Sequence, residues 1–281
     1  MLALLVALTT APLAHAARSA TTSFGSGCPT PRAPSAGAKA PLVSYPTPAA
    51  TDRSLGVTVR ALLNGQETSW NGSLVRLAQP AGFAASRPAD VAVLIAADGP
   101  RGRAVAAGLG DGVLTTRAPR ATRAPRQPSG PGSRQVLLTF GTVLDEGEDA
   151  AGPRAVAAAG PAVAAAYHAI YESKGADGVD RLPGGREWRQ AVEAVEPSRR
   201  HLAVHDGHLI ALSQHDQALL ARAAPLLASW TMTGTRTDIG ARLRALTSAG
   251  ITEVAYQPMG EDIPRELAAF AQAAGLETEG A

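Results

Sequence analysis

The run Val91-Ala92-Val93-Leu94-Ile95-Ala96-Ala97-Asp98-Gly99-Pro100 decides the fold class. Its first six residues are apolar with no polar alternation, the pattern of a strand covered on both faces. Asp98-Gly99-Pro100 ends the run, and Pro100 stands where the first turn of a helix tolerates a missing N–H. Arg101 to Leu109 then reads as a short helix, Gly110-Asp111-Gly112 as its stop, and Val113-Leu114 as the next strand. Strand, tight turn, helix and strand make a β-α-β unit, and such units build parallel sheets.

Working towards the C-terminus, residues 117 to 134 are rich in Arg, Pro, Gly and Ser and read as a connecting loop. Val136 to Leu144 is a second strong strand. A long Ala-rich helix is predicted from Ala150 to Ser173, interrupted near Gly160-Pro161, and a shorter one from Trp188 to Val195. The next helix runs from Asp216 to about Ser229, with Pro225 placed to kink or shorten it. Thr235 is an N-cap with Asp238 three residues on, in the manner of a capping box. Ile239, Leu243 and Leu246 line one helix face before Gly250 stops it. Thr252 to Tyr256 is a further strand, and Pro264 opens a last helix carrying Leu267 and Phe270.

Towards the N-terminus the pattern weakens. Leu55 to Leu63 is helix-like and ends at Asn64-Gly65, and Trp70-Asn71-Gly72 is an exposed turn. Residues 1–50 are rich in Ala, Pro, Ser and Thr, with prolines at 29, 31, 34, 41, 46 and 48 that oppose regular structure. Two regions are therefore expected: a divergent, poorly ordered 1–50 and one α/β domain at 51–281. Leu2 to Leu13 is apolar and Ala14-His15-Ala16 resembles a cleavage site, but no Lys or Arg precedes Arg18. The stretch is also too short to span a bilayer. A cytoplasmic protein is the expectation, with an exported binding protein as the alternative that residues 1–16 support.

Bulk composition narrows the function classes. With 281 residues, 45% hydrophobic and 18% charged, the chain can bury a large α/β core. A net charge of +2, with arginines scattered among acids, gives no case for a nucleic-acid partner. The single cysteine, Cys28, excludes an internal disulfide and any multi-cysteine metal site. No Gly-x-Gly-x-x-Gly follows a strand, and there is no Walker sequence or Gly-x-Ser-x-Gly elbow.

Three stretches together resemble one family. Val93 to Pro100 followed by Ala106 to Val113 is similar to the mid-barrel signature of luciferase-like flavin- or F420-dependent oxidoreductases. Trp230-Thr231-Met232-Thr233-Gly234-Thr235 resembles the loop before that family's penultimate helix, and Ala249 to Pro258 its last strand. Their order and spacing agree from about residue 55 to 272. The resemblance implies an α/β fold, a (β/α)8 TIM barrel of the bacterial-luciferase-like type. Residues 1–50 lack the family's opening strand, helix and strand, so the barrel is expected to be incomplete at the N-terminus. The implied cofactor is FMN or coenzyme F420, serving a monooxygenase or a hydride-transfer oxidoreductase on a small organic substrate. A homodimer is implied as the assembly, and a catalytically inactive truncated member is the alternative.

The site residues follow from these stretches. Ala96, Ala97, Asp98 and Gly99 lie at the carboxyl end of a strand, the face where barrel active sites gather. Small residues there let the backbone approach a ring or phosphate, the following helix N-terminus favours an anion, and Arg101 adds charge. The competing reading is a structural strand-to-helix turn. Thr233, Gly234 and Thr235 offer hydroxyls and backbone N–H groups at a helix start, for cofactor contact or simple capping. Among the six histidines, His201, His205 and His208 are spaced by four and three. On a helix they would share a face and suit zinc, but Asp206-Gly207 breaks a helix and Leu202-Ala203-Val204 reads as strand. No metal is therefore expected. His205 is the candidate for a general acid or substrate contact, and His168, in an Ala-rich helix beside Tyr167, reads as a packing residue.

Overall fold

The computed structural model of the chain describes residues 7–9, 48–78, 86–89, 91–118 and 134–276. Its elements begin β1 (Ala7–Thr9), α1 (Pro48–Leu63), β2 (Thr68–Trp70), β3 (Ser73–Val75), β4 (Leu94–Ala96), α2 (Pro100–Leu109), β5 (Gly112–Thr115), β6 (Arg134–Thr139) and β7 (Val143–Leu144). They continue α3 (Pro153–Val179), α4 (Gly185–Glu193), α5 (Arg200–Val204), α6 (Gln214–Ala223), α7 (Leu227–Trp230), β8 (Gly234–Thr235), α8 (Arg236–Ser248), β9 (Glu253–Tyr256) and α9 (Ile263–Ala273). Contacts divide the chain into two compact units, Thr10–Val93 and a larger one of Met1–Thr9 with Leu94–Ala281. The cysteine loop, most of the proline-rich segment, most of the apolar N-terminal run and most of the Arg/Pro loop before β6 lie outside the described residues.

In the smaller unit, α1 ends at the predicted Asn64-Gly65 but starts at Pro48, a residue that suits a first helical turn. The strands β2 and β3 pair antiparallel with Trp70 opposite Ser73. Asn71 (φ 49°) and Gly72 (φ 80°) make the two-residue turn, because a type I′ hairpin needs positive φ at both positions.

The larger unit is built on a sheet in the order β1-β9-β6-β5-β4. Its strands β4, β5, β6 and β9 are mutually parallel, and β1 adds antiparallel at the edge. Leu94 faces Gly112, Val113 faces Gln135 and Leu137 faces Val254. The four parallel strands succeed one another in chain order, so the β-α-β reading holds. The expected strand Val91–Ala96 is shorter, beginning at Leu94.

The expected single strand from Val136 to Leu144 is two. Its first part, β6, pairs with β9, whereas β7 pairs with β8, Val143 opposite Gly234. Between them Gly141 takes φ +148°, and a Cβ there would lie 2.4 Å from the Met232 carbonyl. The Met232 N–H donates to the Phe140 carbonyl (2.7 Å) and the Tyr256 hydroxyl to the Gly141 carbonyl (2.7 Å). The segment at Met232, just before β8, thus occupies the space a side chain would need.

Two large apolar cores form, besides a small cluster of Ala97, Ala106 and Val113. Leu137, Val143, Ile239, Leu243, Val254 and Phe270 pack α8 and α9 against the sheet, with Tyr256 and Phe270 stacked at 3.9 Å between centroids. Beside them Glu266, buried on α9, accepts from Thr142 (2.6 Å), Arg154 (2.8 Å) and Arg265 (2.8 Å). The second core is helical, with Val163, Tyr167, Trp188, Val192, Leu219 and Leu227 joining α3, α4, α6 and α7. The helix α3 runs through Gly160-Pro161 without the predicted interruption, and its non-helical residue is Gly175. Leu212 and Leu220 approach closely over Gly160, so that packing overrides the local signal. Pro225 does separate α6 from α7, inside a 3₁₀ turn at Ala224–Leu226. The expected strand at Leu202–Val204 is instead the short helix α5, whose Val204 is buried in the helical core. Among the described residues no helix is long and apolar enough to cross a membrane.

Candidate functional site

Parallel pairing brings the carboxyl ends of β4, β5, β6 and β9 to one edge of the sheet. At the end of β4, Ala97 is buried against Ala106 and Val113, and its N–H extends the ladder to the Leu114 carbonyl (2.9 Å). Ala96, Asp98, Gly99 and Arg101 are exposed. Gly99 is the N-cap of α2, in extended conformation (φ −98°, ψ 165°) and without any side-chain cap. A Cβ built on Gly99 meets nothing within 4 Å. Packing therefore does not require glycine here, and the space in front of the turn is open.

Asp98 ties the ends of β4 and β5 together. Its carboxylate accepts from the Thr115 hydroxyl and from Thr116 (3.1 Å), with Arg117 at 3.6 Å. Partial burial pushes the carboxyl up, but the threonine bonds and the Arg117 charge outweigh it and hold Asp98 below its ordinary value.

The structure sets Gly234 and Thr235 on a different strand, β8, against β7, with Thr233 immediately before it. Thr233 is fully buried, its hydroxyl accepting from the Thr142 N–H (3.3 Å) and lying 2.7 Å from the Thr231 hydroxyl. The Gly234 N–H donates to the Thr142 carbonyl (3.3 Å). Thr235 and Asp238 complete the predicted capping box, each side chain accepting from the other's backbone N–H. The hydroxyls of Thr233 and Thr235 are thus engaged in holding β8 and α8.

His205 is not at the strand ends. It caps α5 and meets two other histidines in the helical layer. One ring nitrogen from each of His168, His205 and His208 lies within 4.8 Å of the others. His168, on α3, is 2% exposed and stacks on Trp188 at 5.4 Å between centroids. Its Nε2 is 3.0 Å from Asp216 Oδ1, which also accepts from Trp188 Nε1 (3.0 Å), while Ser213 donates to Oδ2 (2.8 Å). The other ring nitrogen, Nδ1, is buried and has no hydrogen-bond partner. His205 holds Nε2 2.7 Å from Glu172 and Nδ1 3.4 Å from His208 Nδ1. Burial and the neighbouring His168 and His205 rings push His208 down, and this outweighs the opposing pull of Glu172 and Asp216.

Sequence reasoning grouped His201 with His205 and His208, whereas the structure replaces His201 with His168. The helical register of α5 and the turn after it carry His205 and His208 towards α3. No spacing rule links His168 to residues 37 and 40 positions later. The one local signal was a histidine in an otherwise apolar helix. No protein-family model matches the chain, and no curated protein matches it.

Proposed function

We propose that the chain is a luciferase-like oxidoreductase that uses FMN or coenzyme F420 on a small organic substrate. The observation that carries this reading is where the three family-like stretches fall. They coincide with the β4-α2-β5 unit, the β8 segment that enters α8, and the strand β9 of one sequential parallel sheet. On this reading the four strands are one arc of a (β/α)8 barrel, and the cofactor lies at their carboxyl ends.

The residues there suit a flat ring carrying an anionic tail. Ala96 and Gly99 leave open space above the turn. The N-terminus of α2, with no side-chain cap, presents backbone donors to a phosphate, and Arg101 adds a positive charge beside it. Asp98 keeps the β4 and β5 ends in register while remaining ionised, so it fixes the floor of the site. When bound, a flavin or deazaflavin supplies two-electron transfer, and the protein contributes orientation, electrostatics and exclusion of water. Thr233 and Thr235 act on this site through β8 and α8, as positioning residues. His205 belongs to a separate cluster.

Titration of the purified full chain with FMN and, separately, with F420 tests the proposal, with fluorescence and thermal unfolding followed together. Saturable binding of either cofactor, accompanied by a rise in Tm, is expected. A folded sample that binds neither overturns the reading and favours an inactive relative.

A further inference from the structure

We propose that His168, His205 and His208 form a three-histidine site for a divalent transition metal of the zinc type, with its fourth position open to solvent. The site is independent of the cofactor reading above, since it lies in the helical layer and uses none of the strand-end residues.

Ring tautomers provide the first argument. A carboxylate only accepts hydrogen bonds, so the ring nitrogen facing it carries the proton. Asp216 therefore fixes the proton of His168 on Nε2, and Glu172 fixes that of His205 on Nε2. In each neutral ring the remaining nitrogen, Nδ1, is a bare lone pair. The Nδ1 of His168 is buried without a partner, and a buried polar atom left unpaired is costly. A metal ion satisfies it.

Distance provides the second. Zinc–nitrogen bonds of about 2.0–2.1 Å in tetrahedral geometry separate two ligand nitrogens by about 3.3 Å. His205 Nδ1 and His208 Nδ1 stand 3.4 Å apart. One ring nitrogen of each of the three histidines lies within 4.8 Å of the others, so small rotations about the exposed His205 and His208 side chains close the set around one ion.

The surroundings match what metal-binding histidines require. A carboxylate on the far nitrogen orients the ring and raises its basicity, and two of these three histidines have one. Asp216 is itself held by Trp188 and Ser213, so the buried ligand is rigid. The turn that carries His208 contains Leu209 at φ 57°, a conformation that a bulky side chain adopts only under constraint. His168 is buried while His205 and His208 are exposed, so the cluster spans from the helical core to the surface, where water reaches it. Three histidines and an open position form the donor set that binds zinc or cobalt and lowers the pKa of a bound water.

The test uses the tag-free full chain, stripped with a chelator and titrated with Zn²⁺ by calorimetry and with Co²⁺ by visible spectroscopy. One equivalent of either metal is expected to bind, with the intense visible band of tetrahedral Co²⁺ and a rise in Tm. His208→Ala and His205→Ala change exposed side chains, and each is expected to weaken binding by at least about 100-fold. His201→Ala, an exposed control, leaves binding unchanged. Absence of stoichiometric binding to the folded wild-type chain overturns the proposal. So does binding that survives both His205→Ala and His208→Ala, which would place the metal elsewhere.

Discussion

The Nε2 of His168 lies 3.0 Å from Asp216 Oδ1, and neither side chain is more than 3% exposed. Asp216 also accepts from the Trp188 indole and the Ser213 hydroxyl, so one carboxylate satisfies three buried donors from α3, α4 and the start of α6. Asp216→Ala is expected to lower stability by about 3 kcal/mol or more, because it leaves three buried donors without an acceptor at about 1–3 kcal/mol each. Urea denaturation of both proteins measures this. A loss below about 1 kcal/mol would mean that water replaces the carboxylate and that the pair is not structural.

At the strand ends, Gly99→Leu separates stability from cofactor affinity. The backbone of Gly99 is extended and a Cβ has open space around it. The expected loss in stability is therefore only about 1 kcal/mol, from a poorer helix cap. The leucine side chain would fill the space assigned to the cofactor, so FMN or F420 affinity should fall at least ten-fold. Unchanged affinity in a folded variant would move the cofactor away from this turn.

Two glycines at positive φ predict opposite sensitivities. At Gly141 an added Cβ would meet Met232 backbone atoms at 2.4 Å, and backbone cannot swing aside as a flexible side chain does. At Gly147, φ +74°, nothing lies within 4 Å. Gly147→Ala is expected to cost about 1 kcal/mol for the left-handed backbone alone. Gly141→Ala should cost appreciably more, since it forces the β6–β7 junction away from the backbone at Met232. Thermal unfolding of the two variants side by side decides it, and equal losses would show that the crossing adjusts.

The difference between these glycines marks where the sequence was legible. Local periodicity sufficed to place β4, α2 and β5, because the three follow one another directly in the chain, but not to read burial: Val91 and Ala92 are exposed and Leu94 and Ile95 only half-buried. The Thr235–Asp238 box was readable for the same reason, as donor and acceptor lie three residues apart. The break at Gly141 was not, because it comes from Met232 and Tyr256, far along the chain. The histidine cluster failed likewise: spacing grouped His205 and His208 with His201, whereas the third member of the cluster comes from α3. Continuity of α3 through Pro161 also came from tertiary packing, with Leu212 and Leu220 closing over Gly160.

Acid should unfold the larger unit through its depressed carboxylates. The hydrogen bond from Arg154 holds Glu148 below its ordinary 4.5, outweighing burial, and its N–H bond from Asp145 works in the same direction. Asp98 is likewise held below 3.8, where hydrogen bonds outweigh burial. A carboxyl whose folded value is depressed stays ionised in the native state at a pH where the unfolded chain already binds a proton. Its stabilisation is thus complete above the unfolded value and is lost as pH falls through the folded one. The Tm should accordingly be flat down to about pH 5 and then fall steeply below about pH 4. Glu148→Gln removes one of these groups, so its Tm should start lower at neutral pH and decline less on acidification. Parallel curves for wild type and variant would show that the Arg154–Glu148 pair contributes nothing to acid sensitivity, and that other carboxylates carry it.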